Sequence, residues 1–233
     1  PPSAGVGIQV PAGGINKPGE EIAISVTTAD KKPPAGRFYF SSDDHLNCPV
    51  NGMHDNGDPA IVGSGRWDTH GPAKTFVGGT FVNCPEAGGA LEIRFSGEFF
   101  RIYGFKAPNR GIVEIFLDGK SHGEVDTYAP KDEPSALLFA RYGLENAAHV
   151  VKFVVTGKKN EPSTGEQISF DAMESGVAGT EIKARPTAAG IYEIQATSTT
   201  GSPVAKACVS VGMNQPGAGV QVTTTNEMLQ RVF

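Results

Sequence analysis

The stretch Gly111-Ile112-Val113-Glu114-Ile115-Phe116-Leu117-Asp118-Gly119-Lys120-Ser121-His122-Gly123-Glu124-Val125-Asp126-Thr127-Tyr128 decides the fold class. Val113, Ile115 and Leu117 alternate with Glu114 and Phe116, the period-two pattern of a strand buried on one face. Asp118-Gly119 reads as a two-residue hairpin turn, with glycine supplying the positive φ that a tight turn requires. Residues 122–128 then return as a second strand. Gly119-Lys120-Ser121-His122-Gly123 matches the GxSxG spacing of a serine nucleophile, but that motif works on a strand-to-helix turn. Here it sits in a β-hairpin with no helical pattern after it, so it carries no catalysis.

The same grammar extends both ways. Residues 74–77, 90–95, 99–104, 136–142, 149–156 and 168–173 read as further strands. Ser96-Gly97, Pro108-Asn109, Asn146-Ala147 and Thr156-Gly157 read as turns between them. Many strands at short, even spacing, with no helical-period segment, predict an antiparallel sandwich. Toward the N-terminus Val6, Ile8 and Val10 alternate, Pro11-Ala12-Gly13-Gly14 turns the chain, and Ile22, Ile24 and Val26 mark a second strand. Residues 37–40 give a third, and residues 41–59 read as a long polar loop. Residues 180–184, 190–199 and 204–211 give three more.

Each flank is too short to bury a core alone, but together they reach the size of an immunoglobulin-like sandwich. The predicted organisation is all-β: a discontinuous sandwich of residues 1–45 plus 176–212, with a second sandwich of residues 60–174 inserted. Three consecutive units in simple order remain the plainer alternative. Residues 213–233 read as a linker or the start of a following unit, because Pro216-Gly217-Ala218-Gly219-Val220-Gln221-Val222 loosely echoes residues 3–10. Residues 225–233 carry weak helical spacing.

Composition narrows the function classes. Thirty glycines and seventeen prolines in 233 residues favour many turns and exclude a helical bundle. A net charge of −5 without a Lys/Arg cluster lacks the basic footprint of a nucleic-acid binder. No apolar run approaches the ~20 residues of a membrane-spanning helix, so no membrane insertion is expected. Pro1 in place of Met fits a processed secreted or cell-surface protein, and equally an artificially chosen start.

The middle segment carries a resemblance. Its residues are Phe95-Ser96-Gly97, Ile102-Tyr103-Gly104, Pro108-Asn109-Arg110-Gly111, Val113 to Gly119, Val125-Asp126-Thr127-Tyr128, Gly143-Leu144 with His149, Val154 to Asn160, and Ile168-Ser169-Phe170-Asp171-Ala172. In this order they resemble the galactose-binding-like jelly rolls that accompany bacterial glycoside hydrolases and other polysaccharide-active enzymes. The resemblance covers about half the chain. The flanks look like a bacterial immunoglobulin-like or fibronectin-like module. The resemblance implies a jelly roll set into an immunoglobulin-like domain, with carbohydrate binding or domain contact as its role.

Sugar recognition needs an aromatic face and a few planar polar groups. Trp67, the one tryptophan, lies in the polar stretch between Gly65 and Gly71 and reads either as a platform or as a plug at the sandwich edge. Tyr103 and Tyr128 end strands beside loops, where core packing with a solvated hydroxyl is the plain alternative. Arg110, after Pro108-Asn109, and the tip Lys158-Lys159-Asn160 offer hydrogen bonds to a glycan and suit an acidic sugar, or are simply solvated turns. The expected carbohydrate contacts are therefore Trp67, Tyr103, Arg110, Tyr128 and Asn160. His149 reads as a structural histidine, and Glu124 with Asp126 as ordinary strand residues rather than a glycosidase pair.

Asp43, Asp44, Asp55, Asn56 and Asp58 crowd one polar loop. Calcium takes about six to eight oxygen ligands, whereas a solvated linker would show the same residues. Jelly-roll modules of the resembling kind often hold a structural calcium, so one is expected on Asp43, Asp44, Asp55 and Asp58. Cys48 and Cys84 stand in matching Asn-Cys-Pro contexts and are candidates for a disulfide, which spacing alone leaves open. Cys208, in an alternating strand, reads as a small buried hydrophobe. The expected role is a non-catalytic carbohydrate-binding or ancillary module of an extracellular polysaccharide-active protein, its partners a glycan and neighbouring domains of a longer chain. A structural or adhesive spacer in a cell-surface protein is the alternative.

Overall fold

Period-two patterning becomes seventeen strands in the computed structural model, which describes residues 6–10, 16–28, 30–32, 34–212 and the backbone of Thr223–Thr224. The chain opens with β1 (Val6–Gln9), β2 (Ile22–Thr28) and β3 (Phe38–Ser42). It continues with β4 (Gly52–Asp55), β5 (Ile61–Ser64), β6 (Asp68–His70), β7 (Phe81–Cys84), β8 (Ala90–Lys106) and β9 (Ile112–Leu117). Then come β10 (Lys120–Asp126), β11 (Glu133–Lys158), β12 (Ile168–Phe170) and β13 (Ala172–Gly176). It closes with β14 (Glu181–Ala184), β15 (Gly190–Ser198), β16 (Pro203–Val211) and β17 (Thr223–Thr224). Two compact units result, Pro1–Gly52 with Val177–Phe233, and Met53–Gly176.

In the first unit β1, β2 and β14 form one sheet, and β17, β16, β15 and β3 another. Alternation decides which face is buried: Ile22, Ile24 and Val26 of β2 point inward, as do Ala205, Ala207, Val209 and Val211 of β16. These side chains share one core with Ile8, Phe40 and Ile194. Cys208 has the opposite parity on β16 and is exposed, so the expected buried thiol faces solvent.

The second unit is organised by β8 and β11, paired antiparallel from Glu133↔Lys106 to Val154↔Ala90. β13 pairs with the outer edge of β8 with β4 beyond it, and β9 and β10 continue the sheet past β11. The hairpin between β9 and β10 is the one the sequence predicts: Leu117 faces Lys120, with Asp118 (φ 51°) and Gly119 (φ 80°) between them. β12, β7 and β6 form a smaller sheet. Ile93, Ile102, Val113, Ile115, Val151 and Phe153 from the large sheet share a core with Val82, Ile168 and Phe170 from the small one.

Several expectations are corrected. Ser96-Gly97 is not a turn, because β8 runs straight through it. Glycine is required there because a Cβ would lie 2.5 Å from the Gly176 carbonyl oxygen. Asn146-Ala147 is likewise internal to β11, where the register shifts between Tyr142 and Ala147 as a bulge. Residues 74–77 are not a strand; they lead into a single 3-10 turn at Val77–Gly79. The loop of residues 41–59 contains β4, and β5, β6 and β7 were too short and polar to be read from periodicity. The Pro11–Gly14 turn, the echo at residues 216–222 and the helical spacing of residues 225–233 lie outside the described residues.

Cys48 and Cys84, the candidates for a disulfide, are each a free thiol in the structure. Both are buried, each in the core of a different unit. Burial pushes the Cys48 thiol up to about 11 and raises that of Cys84. A thiol reagent should therefore modify Cys208 alone in the native protein and all three cysteines after denaturation without reductant. A denatured, unreduced chain that still hides two thiols would restore the disulfide.

Candidate functional site

Three of the five expected glycan contacts meet at one cluster of segments, residues 107–111, 126–132 and 158–167. Pro108-Asn109 makes the turn that places Arg110, with the Arg110 amide donating to the Ala107 carbonyl at 3.2 Å. The Ser163 hydroxyl donates to the Arg110 carbonyl at 2.7 Å, and the Gly111 amide to the Gln167 carbonyl at 3.1 Å. Gly111 fits only without a side chain, since a Cβ would stand 2.5 Å from the Glu166 carbonyl oxygen. Asp126 joins the other two contacts. Its Oδ1 accepts the Tyr128 amide at 2.9 Å and its Oδ2 accepts Asn160 Nδ2 at 2.7 Å.

Beneath this cluster lies an aromatic group that the sequence reading missed. The Arg110 guanidinium sits 4.9 Å from the Phe105 ring centre. Phe105 meets Phe76 and Phe81 edge-on at 5.7 and 5.5 Å, and exposed His70 stacks on Phe81 at 5.1 Å. Phe81 and Phe105 are half-buried. The rings come from four separate segments, so no local motif announces them. The available signal was aromatic residues at strand ends beside Gly- and Pro-rich loops. Burial pushes the Arg110 guanidinium down to about 10, against the opposing pull of Asp132, and it stays charged at neutral pH.

Trp67 and Tyr103 are placed elsewhere. Trp67 is half-buried, packs toward Phe153 at 6.5 Å and donates through Nε1 to the Ser64 carbonyl at 3.1 Å, the arrangement of a plug rather than an open platform. Tyr103 points into the protein, and its hydroxyl donates to Glu174 Oε2 at 3.0 Å. Burial and the Glu174 carboxylate hold that phenol well above its usual range. His149 is fixed at both ring nitrogens, by Asp118 Oδ2 at 2.8 Å and the Glu145 carbonyl at 2.9 Å.

The four aspartates divide between the two units, Asp43 and Asp44 in the first and Asp55 and Asp58 in the second, and each accepts a backbone amide. Asp43 accepts the Glu193 amide at 2.8 Å, and Asp44 accepts the Asn47 amide and side chain at 3.0 and 2.9 Å. Asp55 accepts the Asn56 amide at 2.7 Å, and Asp58 accepts the Ala60 amide at 2.7 Å and pairs with His54 Nδ1 at 2.9 Å. Asp44, Asp55 and Asp58 accept amides one to three residues on, the local turn chemistry of Asp in loops, while Asp43 ties its loop to β15. Among the described residues no three His, Cys, Asp or Glu side chains group as metal ligands.

Asp58, His54 and Ser175 stand in a relay, with His54 Nε2 3.2 Å from the Ser175 hydroxyl. Ser175 is only 5% exposed and lies within β13, so it lacks the open turn that presents a nucleophile. Asp171 is fully buried, accepting the Val77 amide at 3.1 Å and the Ser135 hydroxyl.

No protein-family model matches the chain. A stretch of 107 residues, 46% of the chain, is 33% identical to part of a Flavonifractor plautii protein described as an A type blood N-acetyl-alpha-D-galactosamine deacetylase, and spans 14% of that protein. A stretch of 90 residues, 39% of the chain, is 28% identical to an A type blood alpha-D-galactosamine galactosaminidase of the same organism and spans 8% of it. Among solved structures, a two-domain esterase (CEX) active on acetylated mannans, co-crystallized with mannopentaose, matches 55% of the chain and 38% of its own at 18% identity and a TM-score of 0.43. A Paenibacillus xanthan lyase matches 94% of the chain and 31% of its own at 11% identity and a TM-score of 0.45. The chain thus spans a small part of the curated relatives it matches, and those relatives are carbohydrate-active enzymes.

Burial pushes the Asp171 carboxyl up to about 7. The folded protein then keeps a proton that the unfolded chain releases near pH ~4, so this contribution to stability is full below pH ~4 and is lost as the pH rises toward 7. Urea midpoints measured across that window should fall by an amount equivalent to at most about 4 kcal/mol. Asp171→Asn should flatten the dependence, and an unchanged slope in that variant would assign it to another group.

Proposed function

We propose that the chain is a non-catalytic, glycan-binding ancillary module of a secreted or cell-surface polysaccharide-active protein. On this reading residues 60–174 are a galactose-binding-like jelly roll, carried by an immunoglobulin-like sandwich of residues 1–45 and 176–212. The observation that carries it is the kinship with short parts of two much longer enzymes whose names describe different reactions, a deacetylase and a galactosaminidase. Stretches of this chain that recur in enzymes of two different chemistries suit a task other than either reaction, and holding the sugar is a task both would share. Partly exposed Phe81 and Phe105 beside Arg110 and Asn160 support the same role, since rings bury sugar C–H faces and planar polar groups fix orientation. Among the described residues no helix is long and apolar enough to cross a membrane.

The test is a binding screen of the purified chain against a panel of neutral, amino, N-acetylated and acidic oligosaccharides, including α-linked galactosamine and N-acetylgalactosamine termini. Saturable binding without turnover is expected, weakened at least about tenfold, ~1.4 kcal/mol, by Phe105→Ala. Trp67→Ala should leave affinity unchanged in protein that remains folded. A panel without a binder would overturn the reading in favour of a structural or adhesive spacer.

A further inference from the structure

Two arginines of Met53–Gly176 are almost wholly buried, Arg101 at 3% exposure and Arg110 at 5%, and their surroundings differ. Arg101 has a counter-charge: its Nη1 lies 2.7 Å from Glu174 Oε2, and its Nε donates to the Tyr142 hydroxyl at 2.9 Å. Arg110 forms no ion pair among the described residues. Its one side-chain hydrogen bond runs from Nη1 to the neutral Asn109 Oδ1 at 3.1 Å. Its Nε is sealed from water with no acceptor.

A buried charge is ordinarily paired, because removing it from water is unfavourable unless a partner compensates. The Phe105 face attracts a cation, but it supplies no acceptor for the N–H groups. The backbone gives Arg110 no freedom to leave, being hydrogen-bonded through its amide to Ala107 and through its carbonyl to Ser163. The fold therefore holds a guanidinium in place with Nε buried and Nη2 as its unused donor toward the surface. A guanidinium N–H of this kind donates a charge-assisted hydrogen bond to a carboxylate or sulfate oxygen. The half-buried rings of Phe105 and Phe81 adjoin the guanidinium.

Resting on the glycan-binding reading above, we propose that the Arg110–Phe105 site takes an anionic sugar, its uronate carboxylate or sulfate ester accepting from the guanidinium at Nη2 while the sugar ring lies against the aromatic rims. Asp132 pulls on Arg110 from a distance without pairing with it, and the ligand would supply the contact ion pair. A neutral sugar hydroxyl could accept one hydrogen bond but would leave the charge unpaired, so selectivity between acidic and neutral glycans follows from the site itself.

The whole chain is titrated by calorimetry with a neutral galactan oligosaccharide, an oligogalacturonate and a sulfated galactan oligosaccharide of matched length. At least one acidic probe should bind about tenfold or more tighter than the neutral one, and the advantage should shrink on raising salt to about 0.5 M. Which acidic probe wins distinguishes carboxylate from sulfate, and either outcome supports the site. Arg110→Gln should abolish the preference. Because that variant can fail to fold, the wild-type protein is also followed by NMR of its arginine Nε–H groups, assigned through Arg110→Lys. The Arg110 Nε–H signal should shift with the acidic probe and not with the neutral one. Equal binding of neutral and acidic probes with an unmoved Arg110 signal overturns this proposal and leaves the glycan-binding module standing. Binding of no probe overturns both.

Discussion

The second unit depends on a closure constraint between β8 and β11. The far end of their ladder is Lys106 opposite Glu133, while β9 begins at Ile112 opposite Lys158, at the other end of β11. Laid flat, the 26 residues of β11 would separate those ends by ~80 Å. The few residues between Lys106 and Ile112 reach ~20 Å at most. The ladder must therefore curl back on itself, and the register shifts near Ala136, Phe139 and Ala147 are where it bends. Residues 107–111, which make that closure, are the same residues that carry Arg110. The site is built on the joint that closes the sheet.

This explains which parts of the fold could be read from the sequence. The β9–β10 hairpin was legible because its signals are local: one alternating face, two turn residues, one return. The inward faces of β2, β9 and β16 were legible for the same reason. Gly97 was misread because glycine marks either a turn or a close backbone approach, and only the Gly176 carbonyl, nearly eighty residues away, distinguishes them. Asn146-Ala147 was misread because an outward bulge and a turn share the same polar composition.

The site divided along the same line. Arg110, Tyr128 and Asn160 come together because each sits in a loop whose residue types announce polar work, and those loops meet. Tyr103 and Trp67 were chosen on residue type alone, yet strand parity points Tyr103 toward Glu174, and Trp67 covers the core beside Phe153. The Phe76, Phe81 and Phe105 group was invisible because no window of sequence contains it. The aspartates of residues 43–58 suit metal ligands and amide acceptors equally well by residue type, and in the structure each accepts a backbone amide, from its own loop or, for Asp43, from β15.

The discontinuity of the first unit also sets an order of birth. β2 ends at Thr28, and its partner β14 begins at Glu181. At ~5–20 residues per second, a ribosome makes the second strand on the order of 10–30 s after the first. Through that interval β2 has only β1 beside it within its own sheet, while Met53–Gly176 is being made. The unit that Met53–Gly176 interrupts is completed only after its insert, so half of its core must wait for the other half.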